Sequence, residues 1–83
     1  MRWTTDGIEC RLMGLRQNDD GEAVAEVLCF EENESMMARY DLDLQTTVIV
    51  RVESSAELVY ARHVTAIMRE ITGLQLEAKS LFN

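Results

Sequence analysis

The sequence predicts an α+β domain: a four-stranded, mostly antiparallel β-meander packed on one face by a C-terminal helix. Two observations carry this. Apolar and polar residues alternate with a period of two through the first half, and the period lengthens to that of a helix beyond Ser54. No repeat, linker or composition break divides the 83 residues, so 1–83 is expected to be a single small acidic domain. Proline is absent, and no position is barred from a ladder or a helix by a missing N–H.

Ile8, Cys10 and Leu12 alternate with Glu9 and Arg11, the pattern of a half-buried strand. The run Gln17-Asn18-Asp19-Asp20-Gly21-Glu22 is the strongest turn signal, because Asn, Asp and Gly tolerate the backbone conformations that tight hairpins need. From Ala23 to Phe30 both faces are apolar, which predicts a central strand. Residues 7–17 and 22–31 should therefore form a hairpin. A four-residue loop, Asn18 to Gly21, sets Cys10 opposite Cys29, Leu12 opposite Val27 and Leu15 opposite Val24. A two-residue Asp20-Gly21 loop is better turn chemistry but sets Leu15 against Glu26, so the longer loop is favoured.

A second turn is expected at Glu32-Asn33-Glu34. Met36, Ala38, Tyr40, Leu42 and Leu44 then point one way, with Met37, Arg39, Asp41 and Asp43 pointing the other. A helix would scatter those apolar residues around its axis, so a strand is predicted. After a bend at Gln45-Thr46, the β-branched run Thr47 to Val52 makes the fourth strand. Ser54-Ser55-Ala56-Glu57 has the form of a capping box. It opens a helix with Ala61, Val64, Ile67, Met68 and Ile71 facing inward and Gly73 closing it near Thr72. Leu74, Ala78, Leu81 and Phe82 suit a short second helix, favoured over a strand through Leu74, Leu76 and Ala78.

Charge narrows the function. A net charge of −7 excludes direct nucleic-acid binding through phosphate neutralisation. The segment from Gln17 to Gln45 holds nine acids against one base, Arg39, so the acidity belongs to one region. No apolar run reaches the ~20 residues of a membrane helix, and the opening residues contain no secretory signal. Two cysteines outside any CxxC pair fit buried thiols in a reducing, cytoplasmic compartment.

No glycine-rich phosphate loop, nucleophile elbow or zinc spacing is present, so no enzyme activity, metal or cofactor is expected. His63 has Val59, Tyr60, Ala66 and Ile67 at helical spacing, none of them a carboxylate or thiol, which predicts a structural or surface role. Asp41 and Asp43 alternate as acids on an exposed strand do and would hold a hard cation only with further ligands.

A helix covers only one sheet face. Met13, Leu15 and Met37, with Ile49 and with Trp3 at the edge, are expected to share the other, ringed by Arg39, Asp41 and Asp43 and by Glu31, Glu32 and Glu34. Those residues are the expected partner-binding surface. The function expected from it is a non-catalytic protein-interaction module or small regulatory subunit, binding a protein partner or a second copy of itself. The alternative is an acidic nucleic-acid mimic, of mobile-element origin for example, that blocks a basic site on its partner.

Overall fold

In the computed structural model, which describes residues 1–31, 37–54 and 60–82, five antiparallel strands form one sheet in chain order. They are β1 (Arg2–Thr5), β2 (Ile8–Gln17), β3 (Ala23–Glu31), β4 (Met37–Asp43) and β5 (Val48–Ser54). Two helices follow, α1 (Tyr60–Met68) and α2 (Ile71–Phe82). The α+β class and the meander are as the sequence predicts, with one strand more. β1 is too short to show alternation, yet its turn is legible: Asp6 and Gly7 take φ of 52° and 76°, the Asp-Gly pair of a tight hairpin. Among the described residues no helix is long and apolar enough to cross a membrane.

The β2–β3 register matches expectation at Cys10 opposite Cys29 and Leu12 opposite Val27. Beyond Leu12 it slips, because Met13 is an extra, bulged residue, and Leu15 faces Ala25 rather than Val24. Gln17 pairs with Ala23, so the loop runs from Asn18 to Glu22, one residue longer than expected. Asn18 closes it: its Oδ1 accepts from the backbone N–H groups of Asp20 and Glu22. Val50 is a second bulge, between Ile49 opposite Leu42 and Arg51 opposite Asp41.

Each bulge reverses the alternation between the residues on its two sides. Leu15 and Ile49, expected on the bare face, therefore pack against the core beneath the helices, as does Trp3. The Trp3 indole N–H donates to the Ala66 carbonyl and ties β1 to α1.

The core lies between the sheet and the helices. Ile8, Cys10, Ala25, Val27, Cys29, Ala38, Tyr40, Leu42 and Leu44 meet Ala66, Ile67, Leu74 and Ala78. The single long helix ending at Thr72 is instead two helices. At the joint the Glu70 N–H turns back to Ile67 O, and the Glu70 carbonyl accepts from Leu74 N as the first bond of α2. The poor helix formers Ile71, Thr72 and Gly73 fall in the opening turn of α2, where few intrahelical bonds are at stake. The buried stripe of α1 is His63, Ala66 and Ile67, rotated away from Ala61, which is exposed. The proposed capping box and the Glu32-Asn33-Glu34 turn lie outside the described residues, apart from the Ser54 backbone, which is the last of β5.

Gly73 does not end a helix. A Cβ there would stand 2.8 Å from the Cε of Met1, the far end of a flexible and half-exposed side chain. Gly73→Ala should therefore stabilise the domain by about 0.4–1 kcal/mol, because alanine restricts the unfolded chain and shares the helical conformation of this position. A thermal melt reads this, and a lowered midpoint would mean that Met1 cannot move aside.

Candidate functional site: the bare face of the sheet

The face opposite the helices follows from the register. One row across it runs Arg2, Arg11, Leu28, Arg39, Glu53, and the next runs Gly14, Glu26, Asp41, Arg51. Val24 and Leu28 are buried on this side, outside the main core, under longer charged side chains. Those chains pair with one another. Arg16 reaches Asp41 at 3.0 Å, Arg39 reaches Glu26 at 3.1 Å, and Arg51 reaches Glu53 at 2.6 Å. Together these six line a shallow depression of about 340 Å³.

Glu9 lies between Arg11 at 2.9 Å and Arg2 at 2.6 Å, and these guanidiniums, Arg11 first, hold its carboxyl below the usual range. The Arg11 guanidinium also sits 4.5 Å from the centre of the Phe30 ring. The arginines stay in water, and such exposed pairs stabilise by only ~0–1 kcal/mol each. Asp41 and Asp43, expected as exposed acids, are instead buried, because Arg16 covers Asp41 and the β4–β5 turn covers Asp43. The main consequence of the pairs is electrostatic: the five arginines Arg2, Arg11, Arg16, Arg39 and Arg51 nearly offset the six acids Glu9, Glu22, Glu26, Asp41, Asp43 and Glu53, so this face carries only −1 in sum.

Of the expected binding residues, Met37, Arg39, Asp41 and Asp43 share this face, and Met13 stands exposed at its bulge. Leu15 belongs to the opposite side. Glu31 does too, where it meets Arg62 at 3.1 Å. Glu32 and Glu34 lie outside the described residues. Asp41 is held by Arg16, while Asp43 accepts from the N–H groups of Gln45 and Thr46 at the β4–β5 turn. The Thr46 backbone bond is the main cause that lowers the Asp43 pKa, and a hydrogen bond with Asp43 raises that of Glu22. Among the described residues no cluster of three or more ligating side chains could hold a metal.

A second constellation is buried under α1, and helical spacing alone could not show it. His63 is fully enclosed, and its partners come from the sheet. Its Nδ1 lies 2.7 Å from the Tyr40 hydroxyl, and its Nε2 lies 3.3 Å from Glu31 Oε1. A proton on Nε2 faces a carboxylate, whereas a bare lone pair there would be repelled. The neutral ring is therefore the Nε2–H tautomer, with Tyr40 donating to Nδ1. Burial, opposed by Glu31, pushes the His63 pKa below its ordinary value. Nε2 makes no hydrogen bond among the described residues, so the fully buried Tyr40–His63 bond fastens α1 to β4, while Glu31 on β3 is tied to α1 through Arg62.

Cys10 and Cys29 stand opposite each other with sulfurs 3.7 Å apart, both free and fully buried. The hydrogen bond to Cys10 and then burial push the Cys29 thiol far up, so its proton stays on. The chain matches no protein-family model, curated protein or solved structure.

Proposed function

We propose that this chain is a protein-interaction module that works through the bare face of its sheet. One observation carries the proposal: among the described residues the helices cover one side of the five strands, and the other side keeps Met13 and Met37 exposed among arginines already matched by acids. Such a face is pre-organised. Its arginines are oriented by their carboxylates, and binding a partner need not order them from scratch. Apolar contact at the methionines adds roughly 25 cal/mol per Å² removed from water before association costs. Because its charges nearly balance, the face should hold its partner in high salt.

A nucleic-acid mimic would need a contiguous run of unpaired carboxylates. Glu26, Glu31 and Asp41 each have an arginine instead, and that reading is not favoured. The test is affinity capture from the native host with wild-type chain and Met37→Glu as baits, at low and high salt. A protein held by the wild type in high salt, and reduced at least tenfold on Met37→Glu, supports the proposal. Identical proteins on both baits, or none on either, would refute it.

A further inference from the structure

We infer that a second copy of this chain pairs with it along the outer edge of β5, making one continuous sheet with Val52 on the two-fold axis. Among the described residues β5 is the last strand of the order and pairs with β4 alone. Its valines are unusually open for a sheet: Val48 is 53% exposed, Val50 58% and Val52 44%. Edge strands of β-branched residues without proline are templates for another strand unless something blunts them. Here the bulge at Val50 interrupts the strand, so the stretch that pairs regularly is Arg51 to Glu53, and Ser54 falls opposite the bulge of the second copy, where the ladder ends.

Charge selects the register. In a two-fold antiparallel pair, facing residues point to the same side of the sheet, so the axis must pass through a residue. With Arg51 on the axis, two guanidiniums face each other. Glu53 on the axis opposes two carboxylates, and Val50 there carries the bulge into the ladder. Only Val52 on the axis sets Arg51 opposite Glu53 of the second copy, twice by symmetry, with valine against valine between them.

The alternation then continues across the seam. The row Arg39–Glu53 runs on into Arg51 and Asp41 of the second copy. The row Asp41–Arg51 runs on into its Glu53 and Arg39. Opposite charges facing across strands stabilise pairing and like charges oppose it, so this register is favoured on both rows. The inference rests on the reading of the sheet as the interaction surface, but it names a different part of it.

Five chains test it: wild type, Val52→Lys, Val52→Cys, Val48→Cys as the crosslinking control, and Met37→Glu from the capture test. Sedimentation equilibrium of the wild type should show twice the 9.5 kDa chain mass at high micromolar concentration. Val52→Lys should raise the dimer Kd at least tenfold by placing two ammonium groups on the axis. Oxidised glutathione should convert Val52→Cys, by thiol–disulfide exchange, into a covalent dimer. Val48→Cys should not crosslink, because Val48 and its symmetry mate lie roughly 25 Å apart in this register. Crosslinking at Val48 and not at Val52 would overturn it even if Val52→Lys failed to fold. A dimer broken by Met37→Glu but untouched by Val52→Lys overturns the edge inference and keeps the face reading. A wild-type monomer at every concentration that still captures a Met37-dependent protein does the same. A monomer that captures nothing overturns both.

Discussion

Ile67→Ala is expected to cost about 2–5 kcal/mol, the usual range for truncating a buried isoleucine. Ile67 is fully buried and lies in α1, where it meets the sheet core beside Ala66. A domain of this length has a total stability of roughly 4–12 kcal/mol, so this one side chain accounts for a large share of it, and only at the lower end of that range would most molecules unfold. Leu76, on α2 and 62% exposed, is the internal control. Leu76→Ala should change stability by no more than about 0.5 kcal/mol. Urea titration reads both, and the Ile67→Ala midpoint should fall without a change in slope. Equal midpoints for the two variants would mean that α1 does not bury the face assigned to it.

How much of this was legible in the sequence differs from element to element. The alternation in β4 placed Ala38, Tyr40 and Leu42 inward and Arg39, Asp41 and Asp43 outward, and so they lie. The two-sided apolar pattern of β3 marked it as central, and it is the middle strand. Leu15 and Ile49 were misplaced for one shared reason. A bulge adds a residue without a composition of its own, so counting by twos past Met13, or across Val50, lands on the wrong face. The inner stripe of α1 was rotated because His63 was weighed only against its own helix. Its partners, Tyr40 and Glu31, are 23 and 32 residues earlier, and only the strand register brings them under it. A tyrosine in an inward row does announce that its hydroxyl needs a partner, which was the available signal. The ion pairs were half legible. Arg39 near Asp41 and Arg51 near Glu53 are visible as alternation, but Arg39 pairs with Glu26 and Asp41 with Arg16, across strands.

Tyr40→Phe is expected to cost about 1–3 kcal/mol, because it leaves the buried Nδ1 of His63 without a donor. The same group gives stability a pH dependence whose sign is fixed. Burial lowers the folded-state pKa of His63, while Glu31 opposes the shift and Arg62 adds to it. Above pH ~6.5 the ring is neutral in both folded and unfolded chains, and its contribution does not change with pH. Below that value the unfolded chain takes a proton that the folded chain resists, so stability falls as the pH drops toward the folded value. With one histidine in the chain, this slope cannot exceed about 1.4 kcal/mol per pH unit. Glu31→Gln removes the carboxylate that favours the charged ring, so it should steepen the acid loss. His63→Gln should flatten the profile between pH 6.5 and 5. Urea titrations across that window measure all three. If wild type and His63→Gln lose stability in parallel there, the ring does not titrate with folding, and burial does not hold its pKa below the ordinary value.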